Sequence, residues 1–262
     1  MASSRLLHLL ALFIGAELVS ARHSDPHIEH ALKKRATTLI PDTVFSSQDE
    51  LEEYFDYNYP WGDTHNGAAL MSSAQVTIID DAYLQLEAVY TGTQADNSAL
   101  SYNSGTIYAK QYFTVEANGG LDFQANFVAP VAEGCWPAFW LDGVNSWPPE
   151  IDLAEWKGDG KISFNTFNTS SIVAAQDYTY STPTTAWHTI LVELRPESDD
   201  STLKADFYIN GDLMTTQYGA EMVGQPFYMI IDYQMLGSSG TSGPTENTYF
   251  DVQYLSVTSY NP

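Results

Sequence analysis

From Val76 onward, short runs of alternating apolar and polar residues follow one another, each closed by turn-forming residues. Ala205-Asp206-Phe207-Tyr208-Ile209 and Tyr249-Phe250-Asp251-Val252-Gln253-Tyr254-Leu255 show the period of two expected of strands with one buried face. The pattern predicts strands over residues 76–89, with a turn at Asp80-Asp81, and over 106–115, 121–128, 136–141, 151–156, 162–167, 188–194, 203–209, 227–233 and 249–257. Asn118-Gly119-Gly120 and Asn210-Gly211-Asp212 are turn signals between such runs. Only 48–54 has helical character, and 238–245 reads as a Gly/Ser-rich loop inside a domain. Strand after strand without βαβ alternation predicts an all-β, antiparallel sandwich.

The N-terminus carries a different pattern. Arg5 precedes a largely apolar run from Leu6 to Val19, and Val19-Ser20-Ala21 is a small-residue cleavage site, so residues 1–21 read as a secretory signal. The polar stretch 22–35 ends in Lys33-Lys34-Arg35 and reads as a pro-segment cut after Arg35. Residues 36–262 then form a single domain of a secreted, extracellular protein, expected to be monomeric. No later stretch is apolar for long enough to anchor the chain in a membrane.

Processing sharpens the charge. Five of the ten Lys and Arg and three of the 33 Asp and Glu precede Ala36, so five bases remain against 30 acids, a formal charge of −25. Such a surface repels phosphate backbones and anionic polysaccharides, which excludes nucleic acid as a partner and leaves neutral polymers open. The lone Cys135 cannot form an intrachain disulfide and reads as a small buried hydrophobe beside Trp136, itself read as core. Metal-ligand and phosphate-loop motifs are absent, and only His65 and His188 follow Arg35, so no metal site or cofactor is expected.

Candidate chemistry concentrates in Glu150-Ile151-Asp152-Leu153-Ala154-Glu155. Three carboxylates so close are costly to bury and are not needed for packing. Hydrolysis of a glycosidic bond does need paired carboxyl groups, one to protonate the leaving oxygen and one to attack or to activate water. On a regular strand Glu150 and Asp152 share a face while Glu155 points away. A catalytic reading therefore requires a β-bulge at Leu153-Ala154. Trp140 and Trp147 flank the cluster and are expected to face a sugar-binding cleft, whereas Trp156 is expected to be core.

Trp136-Pro137-Ala138-Phe139-Trp140-Leu141 followed by Trp147-Pro148-Pro149-Glu150-Ile151-Asp152-Leu153-Ala154-Glu155 resembles the signature of glycoside hydrolase family 16, in its bulged, laminarinase-like branch. Asp63-Thr64-His65-Asn66-Gly67, Ser104-Gly105-Thr106-Ile107, Gly120-Leu121-Asp122-Phe123-Gln124-Ala125, Trp187-His188-Thr189 and Asp206-Phe207-Tyr208-Ile209-Asn210-Gly211 are similar to further family segments, in the right order. The resemblance implies a concanavalin A-like β-jelly-roll with a cleft on its concave sheet. It implies Glu150 as nucleophile, Glu155 as general acid and base, Asp152 between them, and retention of configuration. By the same carry-over His65 and Asn168 would bind substrate, Asn168 standing where laminarinases carry a histidine. Asn168-Thr169-Ser170 is also a glycosylation sequon, at odds with a place inside the cleft.

Several positions depart from the family pattern. Thr106, Asp122 and Asn126 stand where arginines are common, and Gln253 replaces an aspartate that often helps to bind calcium. A structural calcium is accordingly doubtful. The expected activity is endo-hydrolysis of a neutral β-linked polysaccharide, a β-1,3- or β-1,3(4)-glucan first and a β-1,3-galactan as the alternative. A non-catalytic carbohydrate-binding jelly roll, or a lyase on a similar sandwich, are the competing readings. The intact acid trio speaks against the first and the scarcity of bases against the second.

Overall fold

The computed structural model describes residues 36–92, 99–180 and 186–262. Residues 1–35, with the signal and pro-segment assignments, lie outside the described residues. Numbering strands in chain order, a ten-stranded sheet runs β16 (Asp212–Gly219), β15 (Leu203–Ile209), β14 (His188–Pro196), β9 (Leu121–Val128), β18 (Thr248–Ser259), β5 (Tyr83–Tyr90), β6 (Tyr102–Ser104) and β3 (Ala69–Met71). Within it β1 (Thr37–Ile40) pairs with β18 and β4 (Val76–Ile79) with β5. An eight-stranded sheet runs β13 (Ile172–Thr179), β12 (Lys161–Thr169), β11 (Glu150–Glu155), β10 (Cys135–Gly143), β17 (Pro226–Met235), β7 (Thr106–Ala109) and β2 (Phe55–Tyr57), with β8 (Phe113–Thr114) on β17. Neighbours are antiparallel except β3 and β6. This is the expected all-β sandwich.

Alternation along the strands builds one core between the sheets. Leu121, Phe123, Ala125 and Phe127 of β9 point inward, as do Ile190, Val192 and Leu194 of β14. Cys135, Phe139 and Leu141 of β10 and Ile231, Tyr233 and Met235 of β17 meet them from the other sheet. Phe127 sits 5.5 Å from both Phe139 and Trp156 and stacks on Phe250 at 5.6 Å. Each such buried ring stabilises the fold by about 1.5–3 kcal/mol. Trp156 and the free thiol of Cys135 are fully buried, as their sequence context implies.

Local signals also hold. The helix Gln48–Tyr54 begins at Ser47, whose Oγ accepts the Glu50 amide at 3.0 Å, with Asp49 and Glu50 in its first turn. Asp80 and Asp81 turn β4 into β5 with φ of 52° and 53°. Asn210 and Gly211, at 52° and 89°, turn β15 into β16. Both turns need left-handed backbone, which Asn, Asp and Gly tolerate.

Two expectations change. The predicted run 106–115 is broken into β7 and β8, with residues 110–112 outside both. The strands β13 and β16 carry little alternation because both are edge strands with mostly exposed or half-buried residues. Their pairing comes from hairpins with β12 and β15 rather than from a buried face.

Candidate active site

The outer face of the eight-stranded sheet carries a cleft of about 600 Å³. Even-numbered residues of β10 face it: Trp136, Ala138, Trp140 and Asp142. From β11 come Glu150, Asp152 and Glu155, from β12 Asn165 and Phe167, and from β17 Asp232 and Gln234. The switch of parity in β11 is the required bulge. Asp152 pairs with Asn165 and Glu155 with Ser163, so Leu153 and Ala154 together face Phe164. On the other side Phe139 pairs with Ala154 and Trp140 with Asp152, skipping Leu153. The extra residue returns Glu155 to the face of Glu150 and Asp152, while Leu153, Ala154 and Trp156 fill the core.

Each carboxylate has its own partners. The Trp147 indole N–H donates to Glu150 Oε2 at 2.7 Å, and the Trp136 indole N–H donates to Glu155 Oε1 at 2.7 Å. The Asn165 amide donates to Asp152 Oδ2 at 2.7 Å and to Glu155 Oε2 at 2.9 Å, tying the two together. Lys157 Nζ lies 3.2 Å from Glu155 Oε2. Burial, reinforced by the charges of Asp142 and Glu155, pushes Glu150 up to about 7 against the pull of the Trp147 donor. Asp152 is held well above the usual carboxylate range by burial and by both glutamates. Asp142, opposite Glu150 in the β10–β11 ladder, is raised by burial to about 6.

The far wall is built on Asp232. Its Oδ2 accepts from Tyr59 OH at 2.6 Å and its Oδ1 from the Trp140 indole N–H at 3.0 Å. Burial pushes this carboxyl up to about 7. Trp140 is thus only 6 % exposed and shows the cleft one edge, whereas Trp147 is 52 % exposed and stands open. His65 lies in the wall with ring centroids 5.4 Å from Trp61 and 5.6 Å from Trp140, and burial lowers its basicity. Gly67 lets the loop from Trp61 pass over β17: a Cβ there would stand 2.7 Å from the Gln234 side chain, and its φ is +114°.

Glu150, Asp152, Glu155, Trp140, Trp147 and His65 therefore meet in one cleft. Asn168 does not line it. Its side chain donates to Tyr218 O at 3.2 Å and accepts the Ala220 amide, fastening the end of β12 to the chain end of β16. The amide in the site is Asn165, three residues earlier, because the β12 side chains that face the cleft follow the parity set by Asp152. Trp136 is not core: it follows the parity of Trp140 rather than that of its buried neighbour Cys135. Asp142 extends the same even-numbered row, and Asp232 is the single acid in the apolar run 227–233. Both signals are present in the sequence, outside the acid cluster itself. Lys157 and Trp61 carry no such signal.

The model of the glycosyl hydrolases family 16 matches residues 57–248. A galactan endo-β-1,3-galactanase from Flammulina velutipes is 37 % identical over 256 residues, covering 95 % of this chain and 98 % of its own. An endo-1,3-1,4-β-glycanase of Rhizobium meliloti is 29 % identical over 137 residues, covering 51 % of this chain and 25 % of its own. Among solved structures, an endo-1,3-β-glucanase from Streptomyces sioyaensis superposes with a TM-score of 0.66 at 22 % identity, covering 87 % of this chain and 97 % of its own.

Proposed function

The chain belongs to glycosyl hydrolases family 16, and from that footing we propose an endo-acting, retaining hydrolase of a neutral β-1,3-linked polysaccharide. Glu150 is the nucleophile and Glu155 the general acid and base. The observation that carries this reading is the bulge, which sets both glutamates and Asp152 in one cleft between two indole donors. Glu150 attacks the anomeric carbon as Glu155 gives its proton to the leaving oxygen, so the glycosidic bond breaks and a glycosyl-enzyme forms. Glu155 then takes a proton from water, whose oxygen attacks the same carbon and frees Glu150. Asp152 keeps its proton where surface carboxylates have lost theirs, which limits the charge crowded beside Glu150. Trp140, Trp147 and His65 line the sugar path.

The main chain we favour is β-1,3-galactan, because the galactanase relative matches nearly the whole chain. A β-1,3- or β-1,3(4)-glucan is the second reading, in line with the endo-1,3-1,4-β-glycanase relative. The −25 formal charge from Ala36 onward disfavours anionic polymers. The two-carboxyl mechanism needs no cofactor. Gln253 faces Asn126 beside the β18 bulge, so this position offers neutral amide oxygens in place of a charged carboxylate, a weaker set for calcium. We further read the protein as secreted, on the pattern of residues 1–35.

Reducing-end release from β-1,3-galactan, laminarin and lichenan tests the reading. At least one is expected to be cut internally, and NMR is expected to show the β-anomer first. Glu150→Gln is expected to lose at least about a thousandfold in kcat while remaining folded. No release from any polymer, first appearance of the α-anomer, or near wild-type turnover by that variant would each overturn it.

A further inference from the structure

An endo-acting enzyme holds a polymer that must leave its cleft. One wall of the cleft includes Trp61. Tyr59 stacks on one face of this indole at 5.3 Å and 4°, yet Trp61 remains 43 % exposed. Its ring lies 6.1 Å from Trp140 inside the cleft and 6.5 Å from Tyr228 beyond it. Tyr228 in turn meets Tyr112 edge-on at 5.2 Å and Tyr108 at 6.4 Å.

These rings come from separate parts of the chain. Tyr228 lies on β17 opposite Asp142, and Tyr108 on β7 opposite Asp56 of β2, the last strand of the sheet. Tyr112 rises from the segment between β7 and β8 and is 56 % exposed. The row therefore runs from the cleft to the β2 edge. Tyr108 and Tyr228 are half-buried against the core, whereas Trp61 and Tyr112 are exposed, and exposed aromatic surface that adjoins a ligand cleft marks a binding surface. Tyrosines offer an apolar face to the C–H side of a sugar ring and a hydroxyl to its polar rim. Beside Tyr108, Lys110 and Asp56 face each other at 3.7 Å, so that end of the row carries little net charge, as a neutral chain requires.

We propose that Trp61, Tyr228, Tyr112 and Tyr108 form a distal rail that binds the neutral polysaccharide where it leaves the cleft and makes the enzyme favour long chains over short ones. The rail rests on the endo-hydrolase reading above.

The test compares kcat/KM on the polymer that wild type cuts with kcat/KM on the shortest oligosaccharide it cuts. For Tyr112→Ala the polymer-to-oligosaccharide ratio is expected to fall about fivefold or more, since one aromatic contact is worth about 1 kcal/mol. Adding Tyr108→Ala is expected to lower it further. Tyr254→Ala, equally exposed on the other sheet, is expected to leave the ratio unchanged. An unchanged ratio in folded Tyr112→Ala, or equal losses on both substrates, overturns the rail. Retardation in gels containing β-1,3-galactan or laminarin reads binding apart from hydrolysis. Weaker retardation of Tyr112→Ala supports the rail, and retardation equal to wild type overturns it. Failure of wild type to cut any polymer would sink the hydrolase reading and leave these gels to judge the rail.

Discussion

Glu150 and Glu155 face the same cleft although an odd number of positions separates them, because Leu153 and Ala154 together oppose Phe164 on the neighbouring strand. A regular strand would send Glu155 into the core, where Trp156 and Phe127 lie. The bulge thus converts a sequence of five steps into a shared face.

Deleting Leu153 removes the extra residue and leaves Glu155 four positions after Glu150, so a regular strand still holds both glutamates on the cleft face. Hydrolysis is therefore expected to survive the deletion, within about a hundredfold of wild type, the scale of a small misplacement of reacting groups. Loss of all hydrolysis in the folded variant, measured by reducing-end release, would show that shared parity alone does not place the two acids.

Two substitutions should move the acid limb of kcat/KM in opposite directions. Glu150 lies at about 7, lowered by the Trp147 N–H and raised by the Asp142 charge. Trp147→Phe removes the donor that favours the carboxylate, so the limb should shift to higher pH. Asp142→Asn removes a neighbouring negative charge, so it should shift to lower pH. A full pH–rate profile for each variant checks both signs, and shifts in the same direction would contradict the assignment.

Asp232 satisfies two buried donors, Tyr59 OH and the Trp140 N–H. Asp232→Ala takes the carboxyl acceptor from both, and the loss should be about 2–4 kcal/mol of stability at pH 6. Denaturant unfolding measures it. The wall that carries Trp140 and Trp61 should loosen too, with a higher KM than wild type.

Stability should decline as pH rises. Asp142, Glu150, Asp152 and Asp232 are all raised in the folded state, chiefly by burial. Between the unfolded carboxylate value, near 4, and about 7 the folded chain binds more protons than the unfolded one. The stabilisation is complete below that window and is lost through it. Melting temperature should therefore be higher at pH 5 than at pH 8, and Asp152→Asn should flatten the dependence. A wild-type optimum at pH 8 would contradict the raised values.

Within single strands, the sequence determined much of this protein. Alternation in 121–128, 203–209 and 249–257 already separates core from solvent, and the acid spacing already demands a bulge. A period of two says which residues share a face, but not which face looks inward. Trp136 and Cys135 are neighbours, and only the packing of β10 against the other sheet decided that Cys135 is core while Trp136 reaches Glu155. Likewise Asn165 and Asn168 are similar amides near the same acids, and only the β11–β12 register put the first in the site and the second against Tyr218. Asp232 and Tyr59 are 173 residues apart, so their pairing lies beyond any local pattern. Local patterns arise from backbone geometry repeated along one strand, whereas a cleft wall arises from contacts between strands far apart in sequence, which only the packed sheets bring together.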